Sequence, residues 1–255
     1  MTTAAKPSPT ACVIVIGDEI LSGRTQDTNI RYLATRFAAL GIRLKEARVI
    51  PDVADVIIGT INELRRRHTY VFTTGGIGPT HDDITTDCVA AAFGRKVVRD
   101  PRVVEALRGY YGERTNEARL RMANIPDGPD VALIENSLSI AAGYRIENVF
   151  VLAGVPSIAQ VMFEALEPTL TKGDPMYSQS VDAEVGEGDI ADALTAIQNA
   201  HPNVAVGSYP YGQAGKARTS IVARSTDRTE IAFVIDEVAA AMRAVNAEPV
   251  FGPAP

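Results

Sequence analysis

The sequence predicts an α/β fold, in which a three-layer α/β/α sandwich with a mostly parallel sheet is followed by a small α+β domain. Continuous runs of β-branched and apolar residues, such as 12–16 and 149–152, are typical of parallel strands buried on both faces. Stretches whose apolar residues recur three and four positions apart separate these runs, as helices do in βαβ units. A polar segment at 171–175, which contains Gly and Pro, indicates the end of the large domain.

These boundaries divide the chain into a disordered tail at 1–10, a large domain at 11–171 and a small domain at 176–250. The strands expected in the large domain span residues 12–16, 44–50, 70–73, 96–98, 131–134 and 149–152. The helices expected there span residues 30–40, 53–64, 86–93, 101–110, 116–123 and 157–168. The small domain is expected to follow the order β-α-β-β-α, with the turn at 209–215 as a hairpin connection.

Composition and charge exclude several classes of function. The net charge of −6 and the pI near 5.2 give no general attraction to nucleic acid or to an anionic membrane surface. No apolar run approaches the ~20 residues of a membrane span, and the N-terminal stretch lacks the apolar core of a signal peptide. Two cysteines, Cys12 and Cys88, provide neither a disulfide framework nor a cysteine metal cluster. We therefore expect a cytoplasmic protein without nucleic-acid or membrane partners.

One loop, residues 74–85, carries the strongest functional signal, and we call it the glycine loop. It lies between a predicted strand and a predicted helix, where glycines let the backbone approach an anion and the helix adds positive potential. The candidate phosphate-binding residues in it are Thr74, Gly75, Gly76, Gly78, Pro79 and Thr80. Adjacent carboxylates Asp82 and Asp83 would repel a bare phosphate unless a cation lies between them. The alternative is that Asp83 only caps the helix and the glycines only form a turn.

Carboxylates also follow the first two predicted strands. Asp18 and Glu19 lie in the segment 17–23 after the first strand, and Asp52 follows Pro51 after the second. Open α/β sheets bind their ligands at the carboxyl ends of their strands. We therefore expect these groups to share one site with the glycine loop. Arginines near the predicted helix at 116–123 are more typical of a surface than of this site.

The segments 17–23, 27–29, 51–52 and 74–85 together resemble the molybdopterin-binding-domain superfamily, which includes the MoaB and Mog proteins. Within it the chain is most similar to the N-terminal region of the competence/damage-inducible CinA proteins. The resemblance covers residues 12–170, and the part after residue 176 is similar to the small domain that follows in CinA proteins. It implies binding of a nucleotide or pterin pyrophosphate in the strand-end loops.

The resemblance also implies residue roles. The functional carboxylates of the superfamily fall on Glu19, Asp52 and Asp83, which are the predicted catalytic residues, and Asp52 is expected to orient the attacking water. A divalent ion, Mg²⁺, Mn²⁺ or Co²⁺, is expected on Asp82 and Asp83 with help from Glu19 or Asp52. The substrate-binding residues outside the glycine loop are expected to be Gly17, Asp18, Gly23, Asn29, Asn136, Gly154 and Pro156. The chain departs from the CinA pattern at 139–143 and at 152–158.

Three activities are consistent with this resemblance. CinA-type domains imply metal-dependent hydrolysis of ADP-ribose-like or FAD-like dinucleotide pyrophosphates, which is the leading hypothesis. The alternatives are a non-catalytic molybdopterin-binding protein and a molybdopterin adenylyltransferase of molybdenum cofactor biosynthesis, with molybdopterin as the ligand. In each case the partner is a small nucleotide or pterin, and a homo-oligomer, either a dimer or a trimer, is expected.

Overall fold

The computed structural model describes residues 8–212 and 217–253. The chain divides into two compact units, Met1–Gly173 and Asp174–Pro255. Most of the tail expected at 1–10 lies outside the described residues, and the first strand already begins at Thr10. Residues 213–216 of the expected hairpin turn also lie outside them.

The first unit alternates strands and helices over residues 10–120, and four successive strands then precede its last helix. Its strands are β1 (Thr10–Ile16), β2 (Arg43–Ile50), β3 (Tyr70–Thr74), β4 (Val97–Arg99), β5 (Asn124–Pro126), β6 (Val131–Ile134), β7 (Gly143–Ile146) and β8 (Val149–Leu152). Its helices are α1 (Asp18–Leu21), α2 (Asn29–Ala39), α3 (Ala54–Leu64), α4 (Thr85–Ala92), α5 (Pro101–Tyr111), α6 (Glu117–Leu120) and α7 (Pro156–Leu166). Short 3₁₀ turns follow at 112–114, 121–123 and 167–169.

Six of these strands form one sheet in the order β2-β1-β3-β8-β7-β6. The first four are parallel, and β7 and β6 add an antiparallel edge. Right-handed crossovers place α2 and α3 on opposite faces of the sheet, because the chain moves across the sheet in opposite directions at these two connections. Helix α2 accordingly packs with α7, and α3 with α4. The predicted three-layer α/β/α sandwich is confirmed.

The core of this unit lies around β1 and β3. Every residue of β1 after Thr10 is buried, as expected for a strand covered by helices on both faces. The Phe72 ring stacks on Phe150 with their centroids 4.7 Å apart and lies 5.0 Å from Phe37 of α2. Such aromatic packing joins the sheet to one helical layer and holds the strand ends in place.

Three elements of this unit differ from the prediction. Strand β7 was not predicted, because its two-residue turn to β8 uses Glu147, at φ 47°, in a position where glycine or asparagine would have been the signal. Strand β5 was not predicted either, and it pairs with β4 in a separate two-stranded sheet. The segment after β1, expected as a loop, forms the short helix α1.

The second unit is a compact α+β arrangement, as predicted. Its antiparallel sheet has the order β10-β11-β9-β12 and contains β9 (Tyr177–Ala183), β10 (Ala205–Tyr211), β11 (Arg218–Ser225) and β12 (Val250–Phe251). Its helices are α8 (Glu187–Ala200) and α9 (Arg228–Ala244). Helix α9 packs on β9 and β11 around a core that includes Val181, Ile221 and Val234.

Across residues 8–212 and 217–253, no helix is both long enough and apolar enough to cross a membrane.

Candidate active site

The candidate site lies at the carboxyl ends of β1, β2 and β3. The chain passes from β1 out to β2 and then returns past β1 to β3, so the direction of winding reverses between β1 and β3. Ligands of open α/β sheets bind in the crevice that such a reversal creates. Helix α1 and the glycine loop begin at the two sides of this crevice.

The first turn of the glycine loop requires glycine at two successive positions. Gly75 and Gly76 have φ angles of 102° and 69°, which residues with a side chain rarely adopt. A β-carbon at Gly75 would collide with the carbonyl oxygen of Ile16, and one at Gly76 with the hydroxyl of Thr85. The two glycines are therefore required for the loop to pass close to the end of β1 and the start of α4.

Thr85, which is fully buried, fixes the glycine loop to the start of α4. Its backbone N–H donates to the carbonyl oxygen of Gly76 at 3.0 Å. Its hydroxyl donates to the carbonyl oxygen of Gly75, also at 3.0 Å. The loop conformation is thus held by both polar groups of one residue.

Replacing Thr85 with valine is expected to lower the free energy of unfolding by about 1–3 kcal/mol, because the buried carbonyl of Gly75 would lose its donor. Urea denaturation followed by circular dichroism measures the change. Thr85→Ser keeps the hydroxyl and serves as the matched control. A loss in Thr85→Ser without a loss in Thr85→Val would show that the methyl group, and not the hydrogen bond, stabilises the loop.

Asp83 closes the second half of the glycine loop. Its Oδ2 accepts a hydrogen bond from the backbone N–H of Thr80 at 2.7 Å and another from the Thr80 hydroxyl. A β-carbon at Gly78 would lie 2.7 Å from the same oxygen, so the carboxylate occupies the space that glycine leaves. The alternative that Asp83 caps α4 is wrong, because Ile84 precedes the helix and no side chain accepts from its first turn.

Asp52, at the end of β2, is tied to the segment after β1. Its Oδ2 accepts a hydrogen bond of 3.0 Å from the backbone N–H of Asp18. Burial raises the pKa of Asp52, the hydrogen bond from Asp18 opposes this, and the charges of Asp18, Glu19 and Asp82 raise the pKa further. These electrostatic effects indicate that acidic groups from three strand ends converge on one region.

The donors in this region suit a hard divalent cation, because they are carboxylate oxygens whose charges repel each other. Among the described residues, no three His, Cys, Asp or Glu side chains are arranged to hold a metal by themselves. Mg²⁺ is commonly bound through one or two carboxylates together with the phosphates of its substrate. The residues therefore fit an ion that shares its coordination with a bound phosphate.

The segment after β1 places Glu19 on the short helix α1. Both Asp18 and Glu19 are exposed, and a β-carbon at Gly17 would lie 2.6 Å from Oε1 of Glu19. Gly23 ends this segment with a φ of 73°. The Glu19 carboxylate thus stays beside the end of β1, within electrostatic reach of Asp52.

Asn29 positions the loop after β8. It is only 4% exposed, and its Nδ2 donates to the carbonyl oxygen of Gly154 at 2.9 Å. A β-carbon at Gly154 would lie 3.2 Å from the Cα of Gly75, so the two glycines pack closely. Pro156 then begins α7, a position in which its missing N–H carries no cost. Asn29 therefore fixes the loop after β8, and Gly154 of that loop packs against Gly75 at the start of the glycine loop.

Asn136 braces its own loop between β6 and β7. Its Oδ1 accepts from the backbone N–H of Ser139 at 2.6 Å, and its Nδ2 donates to the carbonyl oxygen of Ala141 at 3.3 Å. The segment that departs from the CinA pattern is therefore ordered by this side chain. A direct contact of Asn136 with substrate stays a prediction.

Arg121 was not predicted as part of the site. Its Nη2 donates to the carbonyl oxygen of Asp83 at 3.2 Å, and its side chain lines a small cleft with Gly78 and Asp83. This places a cation against the glycine loop. The sequence offers no signal for this placement, because it depends on how the 3₁₀ turn at 121–123 packs.

Comparison with known families identifies both parts of the chain. The family described as "Probable molybdopterin binding domain" matches residues 12–172, and that described as "FAD synthase, middle domain" matches residues 175–249. The chain belongs to the molybdopterin-binding-domain family.

Similar proteins extend this result. A protein of Aeropyrum pernix is 35% identical over 237 residues, which are 87% of this chain and 88% of that protein. A CinA-like protein of Kosmotoga olearia is 30% identical over 251 residues, which cover 94% of this chain and 60% of the relative. The "Probable FAD synthase" of Caenorhabditis elegans is 31% identical over 228 residues, which cover 79% of this chain but only 44% of that protein.

A solved structure supports the fold of the first unit. The crystal structure of CinA from Thermoplasma acidophilum matches with a TM-score of 0.59 and 30% identity. The match covers 64% of this chain and 98% of the CinA chain. The similarity to CinA proteins that the sequence motifs indicated is thereby confirmed.

Proposed function

We propose that the chain binds the pyrophosphate of a dinucleotide such as ADP-ribose or FAD at the carboxyl ends of β1, β2 and β3, and hydrolyses it with a divalent metal ion. The observation that carries this proposal is Asp52. Its carboxylate is partly buried, has a raised pKa and lies among other acidic groups beside an anion-binding loop. A carboxylate whose pKa is perturbed in a cleft is a candidate for acid–base catalysis.

Each strand end has a role in this proposal. The backbone N–H groups of the glycine loop bind phosphate oxygens, and the start of α4 adds positive potential there. Asp52 accepts a proton from the attacking water, which forms a new bond to one phosphorus as the bridging oxygen leaves with the other. Asp82 and Asp83, with help from Glu19, would hold the metal. A bound Mg²⁺ or Mn²⁺ supplies charge neutralisation on the leaving phosphate.

The relatives support this choice of substrate class. The second unit matches the middle domain of FAD synthase, and one relative of the whole chain is named as an FAD synthase. Others are CinA-like proteins. A dinucleotide with a central pyrophosphate fits both features, since the glycine loop can bind its phosphates and the acidic strand ends can bind a metal ion.

Release of AMP tests the proposal. Purified protein is incubated with ADP-ribose or FAD and with Mg²⁺, Mn²⁺ or Co²⁺, and AMP is measured by chromatography. We expect metal-dependent AMP that disappears with a chelator and falls strongly in Asp83→Asn. AMP no higher than in that variant would overturn the hydrolase proposal. Ligand binding without turnover would then favour a binding protein, and ATP-dependent formation of an adenylylated pterin would favour an adenylyltransferase.

A further inference from the structure

A cavity of about 350 Å³ opens beside the candidate site and has no role in the chemistry described so far. Its walls come from the end of α5, the 3₁₀ turn at 121–123 and the loop between β6 and β7. They include Tyr110, Tyr111, Met122, Ser137, Ser139 and Ile158. The volume falls within the range of small-molecule pockets, and the mixture of aromatic and hydroxyl groups is typical of them.

The cavity adjoins the phosphate-binding end of the site. Met122 lines both the cavity and the small cleft that contains Gly78, Asp83 and Arg121. The backbone N–H of Ala142 donates to the carbonyl oxygen of Met122 at 3.1 Å, which fixes the loop after β6 against this boundary. The cavity and the cleft at the glycine loop therefore adjoin at Met122.

Of the two tyrosines that line the cavity, Tyr110 has the ring that remains available for stacking. The guanidinium of Arg119 lies 4.4 Å from the centre of the Tyr111 ring and covers it. Tyr110 contacts Tyr111 in a T-shaped pair with centroids 4.9 Å apart, yet Tyr110 remains 67% exposed. An exposed tyrosine held in position by its neighbour is a stacking surface for a planar ring.

The polar side chains that line the cavity can distinguish one planar ring from another by hydrogen bonding. The Asn136 amide is engaged with Ser139 and Ala141 and holds the loop. Ser139 Oγ accepts from the backbone N–H of Ala141, which leaves its hydroxyl hydrogen free to donate. Together with the exposed Ser137, it can bond a ring that carries acceptor nitrogens or carbonyl oxygens.

From these observations we infer that the cavity is a subsite for the nitrogen heterocycle of a nucleotide, adenine or isoalloxazine, with Tyr110 as its stacking surface. The inference rests on the proposed function for the phosphate end of the ligand. It assigns Tyr110 the role of a specificity-determining residue, which favours ring-bearing phosphates over phosphates of bare sugars.

Calorimetric titration of the full chain with FMN, AMP and ribose 5-phosphate, each with Mg²⁺, tests this subsite. We expect FMN or AMP to bind about tenfold or more tightly than ribose 5-phosphate, because only they carry a ring that stacks. Tyr110→Ala is expected to abolish this preference without changing the affinity for ribose 5-phosphate. The stronger of the two ring ligands identifies the heterocycle as isoalloxazine or adenine.

Two variants serve as controls. Tyr110→Phe keeps the ring and is expected to keep the preference, whereas Tyr211→Ala removes an exposed tyrosine of the second unit and is expected to change nothing. The inference is overturned if neither ring ligand exceeds ribose 5-phosphate, or if Tyr110→Ala binds both as tightly as the natural sequence. A ring preference without AMP release from ADP-ribose or FAD would overturn the hydrolase proposal and leave the subsite in place.

Discussion

Replacing Asp52 with asparagine is expected to lower kcat/KM for AMP release from ADP-ribose by about 10²–10⁴-fold, the usual contribution of a general base. Asparagine has nearly the same shape, and its carbonyl oxygen can still accept the hydrogen bond from the backbone N–H of Asp18. It cannot take a proton from water. Steady-state kinetics with a fixed, saturating metal concentration measure the effect.

The same variant is expected to unfold at a higher temperature at pH 7. Burial, together with repulsion from Asp18 and Glu19, raises the folded-state pKa of Asp52 above its ordinary value of 3.8. A carboxyl group whose pKa is higher in the folded than in the unfolded protein stabilises the fold at pH values below its unfolded-state pKa. This stabilisation is lost as the pH rises through its folded-state pKa. At pH 7 the charged Asp52 therefore opposes folding, and asparagine relieves that cost.

Comparison across pH makes this prediction specific. The stability gain of Asp52→Asn is expected to disappear at about pH 3, where Asp52 is protonated in the folded protein as well. In the proposed hydrolysis, the acid limb of the pH–rate profile is expected at a higher pH than an aspartate with an ordinary pKa would give. A variant that lost both activity and thermal stability at pH 7 would show instead that Asp52 maintains the fold.

Replacing Gly75 with alanine is expected to reduce the free energy of unfolding by about 3 kcal/mol or more, because it combines a left-handed backbone with a collision. The collision partner is the carbonyl oxygen of Ile16, which belongs to the buried strand β1 and cannot move without disturbing the sheet. Urea denaturation followed by circular dichroism measures the loss, and phosphate binding by the folded fraction is expected to weaken with it.

Gly59 offers the matched control for this substitution. It lies in α3, is exposed and has open space where a β-carbon would be. Gly59→Ala is expected to stabilise the protein by about 0.5–1 kcal/mol, because alanine restricts the unfolded chain and favours the helix. Equal effects of the two substitutions would contradict the proposed constraint at Gly75.

The fold could be predicted from sequence because its main strands and helices carry clear patterns. The apolar run at 12–16 appears as the fully buried β1, and the helical spacing after Pro51 appears as α3. Strand β7 lacked such a signal, since it is short and its turn to β8 has no glycine. Short antiparallel additions to a parallel sheet depend on tertiary pairing more than on local pattern.

The arrangement of the candidate site was predictable in part for similar reasons. Glycines and carboxylates after buried strands located the strand ends, but the partners of their side chains could not be read from spacing. Asn29 and Gly154 are separated by 125 positions and meet only because of the order of strands in the sheet. Arg121 reaches Asp83 across 38 positions through an irregular segment. Such contacts follow from the fold and have no local signature.

The close packing of Gly154 on Gly75 has a consequence for binding kinetics. With Thr85 on one side and Gly154 on the other, the first turn of the glycine loop is preorganised, so an incoming phosphate has little backbone to order. Capture is then governed by diffusion and by repulsion between the anion and a chain of net charge −6. Added salt screens that repulsion, so the association rate of an anionic ligand should increase with ionic strength.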